Sequence, residues 1–193
     1  MRKRLRPKYS DEQLKEIYAV PHDHRKWVDH RVRVESTIAL ASGYFEGKDI
    51  FSIADLSTGD AEIPLGIRGN VTTIENSYLG DFAPKYEHIG PIDKTINDIS
   101  SVDLYILSET LEHLDDPDNT LKLISDKAKY IVLTTPVDEN IANPEHYWKW
   151  GKEDVKKMLL DVGFEPVVYS ELRFCYLNDY GYQLWIAKNT KEI

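Results

Sequence analysis

The sequence has one cysteine and two methionines among its 193 residues, and no apolar run near the ~18 residues a membrane span needs. A lone thiol, Cys175, excludes an intrachain disulfide and reads as a buried structural side chain in a reducing compartment. The opening basic residues are not followed by the apolar segment of a secretory signal, so a cytoplasmic protein is expected. Positive charge is scarce as well: Lys plus Arg total 24 against 33 Asp plus Glu, for a net charge of −9. Such a surface repels a phosphate backbone, which makes long nucleic acid a poor partner. The exception is the start of the chain, where Arg2, Lys3, Arg4, Arg6 and Lys8 hold five of the 24 basic residues and leave 19 against 33 elsewhere. That stretch reads as a solvated tail, with an electrostatic handle for an anionic substrate as the alternative. At 41% hydrophobic and 30% charged, the chain has the composition of a packed globular protein, with room for one domain over residues 1–193.

What is present is an alternation of strand and helix signals. Ser10 and Gln13 have capping-box spacing and predict a short helix to about Ala19, which Pro21 interrupts. Trp27, Val34, Ile38, Ala41 and Phe45 recur at helical spacing and predict a longer one. Short apolar runs at 50–55, 71–75, 88–92, 102–108 and 130–134 read as buried strands. Asp116-Pro117 is an N-cap followed by proline at the first helical position. Val155, Met158, Leu159 and Val162 share one face of a helix that Gly163 stops. Residues 165–174 and 180–188 are β-rich and joined by a link too short for a parallel crossover, so they pair as a hairpin. The fold class is therefore α/β: a Rossmann-like, doubly wound, mostly parallel sheet with a C-terminal antiparallel hairpin. Ligands of such sheets bind beyond the carboxyl ends of the strands, where strand order reverses.

The residues at those strand ends carry the chemistry. After the first core strand the chain reads Asp55-Leu56-Ser57-Thr58-Gly59-Asp60-Ala61. Small residues permit a tight turn close to a ligand, and Asp55 suits a cationic amine better than a pyrophosphate. This segment resembles motif I of the class I S-adenosylmethionine-dependent methyltransferases, D/E-x-G-x-G-x-G, although only Gly59 of the three glycines is present. The run Ser108-Glu109-Thr110-Leu111-Glu112-His113-Leu114-Asp115-Asp116-Pro117 is similar to the family's fourth-strand motif. Glu145-His146-Tyr147-Trp148 and Gly163-Phe164-Glu165 resemble its later segments, and the likeness spans residues 49–188.

The resemblance implies a seven-stranded sheet and S-adenosylmethionine as cofactor. It is implied to be held by Asp55, Leu56, Ser57 and Gly59, by Glu75 for the ribose, by Asp93 for the adenine, and by Asn76, Ser108 and Glu109. Residues 1–48 would form a lid with acceptor contacts from His22, His24 and Trp27, joined by Trp148. The acceptor is expected to be an O or N atom of a small metabolite or nucleotide, with Glu109, His113 and His146 as candidate catalytic groups. Glu109, Glu112, His113 and His146 also resemble the ligand set of small-RNA 3′-terminal 2′-O-methyltransferases and of some ubiquinone-pathway O-methyltransferases, which leaves open both a divalent metal and an RNA acceptor; the family also has metal-free members with the same turn. A non-catalytic binding module of the same fold is the third reading. The sequence does not specify an oligomeric state.

Overall fold

A computed structural model describes residues 1–17, 19, 24–80, 88, 90–140 and 143–192. In chain order the elements are strand β1 (Lys3–Arg4), helix α1 (Asp11–Ile17), α2 (Val28–Phe45), β2 (Ser52–Asp55), α3 (Glu62–Asn70), β3 (Asn76–Leu79), α4 (Ile92–Thr95), β4 (Val102–Ser108), α5 (Pro117–Ser125), β5 (Ala128–Val137), β6 (Trp148–Lys149), α6 (Lys152–Val162), β7 (Phe164–Phe174) and β8 (Tyr180–Asn189). The local signals hold where they are strongest. Ser10 Oγ accepts from the Gln13 N–H, and Gln13 Oε1 accepts from the Ser10 N–H. Asp116 Oδ1 accepts from the Asn119 N–H to cap α5, and Gly163 ends α6 at φ 99°.

The main sheet has strand order β3-β2-β4-β5-β8-β7; β3, β2, β4 and β5 are parallel, and β8 runs antiparallel to both its neighbours, β5 and β7. Side chains alternate through it, as a sheet covered on both faces requires. Tyr105 and Leu107 of β4 pack with α5 and α6 on one face; Leu104 and Ile106 pack with α2 and α3 on the other.

Two expectations need correction. The sheet has six strands among the described residues, not seven: of the expected strand at 88–92, Ile92 instead opens α4 after Pro91 as its N-cap. The run 71–75 is not a strand either. Val71 closes α3 by donating to the Ile67 carbonyl, Val71 and Ile74 plug the core beneath it, and β3 starts only at Asn76. A run of apolar β-formers is equally satisfied by burial in a turn, so periodicity could not separate the two.

Candidate functional site

The order of strands reverses between β2 and β4, and the loops leaving these two strands meet there. Thr110 Oγ1 donates to Ser57 Oγ at 2.9 Å. Asp55, 2% exposed at the end of β2, accepts from the Ser57 N–H at 3.1 Å. Gly80 closes the end of β3 beside them: a Cβ there would stand 2.9 Å from the Leu56 carbonyl oxygen, so only glycine lets the loops approach. The turn itself uses left-handed backbone at Gly59 (φ 58°) and Ala61 (φ 60°). Ala61 thus adopts at some cost the conformation the motif's missing glycine would take freely. No described residue lies within 4 Å of where a Cβ on Gly59 would stand.

Beyond β4 and β5 lies a cluster of buried acids and imidazoles. Glu109 leaves β4 in left-handed backbone (φ 48°) and accepts from Thr134 Oγ1 at 3.1 Å. The Thr134 proton being so used, Ser108 donates its own to Thr134 (2.8 Å), and Arg33 of α2 donates to Ser108 at 2.5 Å. Glu112 is 1% exposed; its Oε2 accepts from Thr135 Oγ1, while Oε1 has no hydrogen-bond partner among the described residues and stands 4.0 Å from His113 Nε2. His113 Nδ1 lies 3.1 Å from the Glu145 carbonyl oxygen, which can only accept, so Nδ1 carries the proton and Nε2 the lone pair. Ligand atoms of Glu112, His113 and His146 all lie within 4.8 Å of one another.

Burial raises the Glu109 carboxyl pKa against the opposing charge of Arg33, and raises that of Glu112 well above the usual range, with the Glu109 charge adding to it. Burial, then the neighbouring His146, lowers His113 to about 3. His30, half-buried with its Nδ1 3.1 Å from an Arg33 nitrogen, falls to about 4 through burial, then the charges of Arg33 and His24.

In the N-terminal segment, Arg25 pairs with Asp60 of the loop after β2 at 3.6 Å, and Trp27, itself exposed, stacks on His24 at 4.9 Å. The basic tail is ordered. β1 pairs with β6, Arg2 binds Asp118 through two bonds of 2.8 and 2.7 Å, Arg4 pairs with Asp115, and Arg6 donates to the carbonyls of Asn143 and Pro144.

Several expected residues fall elsewhere. Glu75 and Asn76 both donate backbone N–H groups to the Phe51 carbonyl, ahead of β2, which places them at the amino edge of the sheet, across from Asp55. Their placement followed from reading the strand five residues early. The next acid in the chain, Asp81, and the candidate His22 lie outside the described residues. Asp93 is exposed on the first turn of α4. Trp148 lies under the N-terminal strand, with Arg2 4.4 Å and Arg4 5.1 Å from its ring and its Nε1 bound to the Leu114 carbonyl. Cys175 is exposed, where a buried thiol was expected. Arg33 and Glu139 were missed. The signal for Arg33 was its place, with Asp29, on the apolar face of α2 at four-residue spacing from Thr37 and Ala41; both charges are buried. Glu139 follows β5 with no local pattern to mark it.

No family model matches the chain, and no curated protein matches it. Among solved structures it is similar to 1,6-didemethyltoxoflavin-N1-methyltransferase from Burkholderia thailandensis, which holds 1,6-didemethyltoxoflavin and S-adenosylhomocysteine: TM-score 0.71, 14% identity, covering 96% of this chain and 93% of that one. The N-methyltransferase NodS from Bradyrhizobium japonicum, in complex with S-adenosyl-L-homocysteine, gives 0.68 at 13%, covering 93% and 98%. A small RNA methyltransferase gives 0.60 at 13%, over 82% of this chain and 25% of that one. Likeness at such identities concerns backbone architecture, and fold alone does not assign chemistry. The chain has the fold of the class I S-adenosylmethionine-dependent methyltransferases.

Proposed function

We propose that the protein transfers a methyl group from S-adenosylmethionine to an O or N atom of a small metabolite or nucleotide. The bond between Thr110 and Ser57 carries this reading, because it joins the small-residue turn after β2 to the loop that bears the acid–imidazole cluster. Asp55, Leu56, Ser57 and Gly59 would hold the cofactor, and no described residue would meet a Cβ on Gly59, which leaves its backbone approachable. When bound, the cofactor supplies a methyl already activated by its sulfonium charge. The remaining tasks are to orient the acceptor, exclude water and remove a proton where the acceptor is a hydroxyl or ammonium. Glu109 suits the last task, since a carboxyl lifted by burial toward the working pH is a better base than an imidazole lowered to about 3. Residues 1–48 contribute the acceptor contacts His24 and Trp27, and residues 49–188 the cofactor-binding core. Calorimetric titration with S-adenosylmethionine tests the premise: saturable binding is expected, and none at millimolar concentration would end it.

A second reading is metal-assisted 2′-O-methylation of an RNA terminus, which the orphaned Oε1 of Glu112 favours. Glu112, His113 and His146 would hold a divalent ion, with Glu109 as a further oxygen donor, and the ion would act as a Lewis acid on a hydroxylated acceptor. Against long RNA stand the net charge of −9 and the pairing of Arg2 and Arg4 with the chain's own acids. Full turnover after exhaustive chelation would exclude this reading.

A further inference from the structure

Glu139 is one of the buried acids for which neither reading above has a use. The chain turns after β5 at Asp138, in left-handed backbone (φ 48°), and Glu139 points inward at 5% exposure. Its Oε2 lies 2.8 Å from Nδ1 of His146, itself 4% exposed. The other face of that imidazole is also fixed. Asn143 Oδ1 accepts from the Glu145 N–H, which turns Nδ2 of Asn143 toward His146 Nε2 at 3.0 Å. An amide N–H there requires a lone pair on Nε2, so the proton sits on Nδ1 and is donated to Glu139. The second oxygen of Glu139 has no partner among the described residues, and neither has Oε1 of Glu112.

Charge balance points the same way. Glu109, Glu112 and Glu139 interact electrostatically at one end of the sheet, and Arg33, a buried cation, opposes Glu109. Two imidazoles, His113 and His146, complete the surroundings, with the Tyr180 and Tyr182 hydroxyls, whose pKa values burial and the charge of Glu109 raise. A buried carboxylate oxygen that lacks a donor is costly unless a cation reaches it.

We propose that Glu139 is the positioning carboxylate of a divalent-cation site made by Glu112, His113 and His146: it holds the Nδ1–H of His146 so that Nε2 is the nitrogen offered to the ion. Asn143 Nδ2 is the donor that the ion displaces. This rests on the metal reading above, and it adds the partner that ligating histidines usually have, a carboxylate on the far ring nitrogen.

Cobalt(II) titration of the full chain, followed by visible absorption, tests it with S-adenosylmethionine affinity measured alongside. Wild type should bind Co²⁺ saturably, and Glu139→Gln should weaken that binding about 10- to 100-fold and shift the absorption band, with cofactor affinity unchanged. Glu112→Gln, which removes a ligand, should weaken it further. Wild-type Co²⁺ affinity and spectrum in Glu139→Gln, with Glu112→Gln still impaired, would overturn the role of Glu139 and leave the metal reading standing. No saturable Co²⁺ binding by wild type would overturn both. Should Glu139→Gln fail to fold, the comparison passes to Glu139→Asp, which keeps the charge but withdraws it from Nδ1; unchanged affinity and spectrum there overturn the proposal equally.

Discussion

The two halves of the sheet's carboxyl edge are built by different means. The half after β2 and β3 is made of backbone: left-handed residues at Gly59 and Ala61, a glycine at Gly80 that admits close approach, and the buried acid Asp55. The half after β4 and β5 is made of side chains: hydroxyls of Ser108, Thr134 and Thr135 hold Arg33, Glu109 and Glu112, Glu139 holds His146, and His113 bonds the Glu145 carbonyl. A backbone site tolerates much sequence change provided the dihedral angles survive. A side-chain site depends on every buried partner, because each unpaired polar atom there carries its full desolvation cost.

That contrast can be broken most severely from below. Trp150, 2% exposed, donates to Thr135 Oγ1, which in turn donates to Glu112. Trp150→Ala should cost about 3–5 kcal/mol in urea denaturation and should disturb the side-chain half while a refolded fraction still binds cofactor. On the backbone half, Asp55→Ala should weaken S-adenosylmethionine binding about 10- to 100-fold by calorimetry, the scale of one charge-assisted hydrogen bond. Glu75→Ala, at the opposite edge, should leave it unchanged; a matching loss in Glu75→Ala would reverse the assignment of edges.

Acid sharpens the comparison further. His113 and His30 are held neutral, near about 3 and about 4, below the ~6.5 of an unfolded histidine. The unfolded chain therefore binds more protons between those values and 6.5, so their contribution is present above pH 6.5 and lost as pH falls toward 4. Glu112 works in the opposite sense: its raised pKa gives stability below the usual carboxylate range that is lost as pH rises. Melting temperatures at pH 7 and 4.5 should show a smaller acid loss in His30→Gln than in wild type, and equal losses would refute a burial effect at His30. The smallest change expected is a gain: Ala61→Gly relieves left-handed strain and should stabilise by about 0.5 kcal/mol after the entropy of the added glycine is offset.

Much of this architecture was legible where the signal is local. The caps of α1 and α5, the stop at Gly163 and the β7–β8 hairpin each depend on residues within a few positions of one another. The donor types at the end of β4, Glu109, Glu112 and His113, were legible for the same reason. The start of β3 was not, because Val71 and Ile74 satisfy burial equally well in a turn, and Glu75 was misplaced with it. Trp148 was read as a pocket wall because an aromatic side chain suits one; the arginines that cover it come from the other end of the chain.

By itself, then, the sequence determined most of the order of strands and helices, the place where loops gather, and the kinds of side chain delivered there. Only the tertiary structure decided which charges meet. Arg33 reaches Ser108 across 75 residues and Thr134 across 101, and Thr135 joins Glu112 to Trp150. Whether such a group is paired or orphaned depends on what burial places around it, and local periodicity carries no record of that.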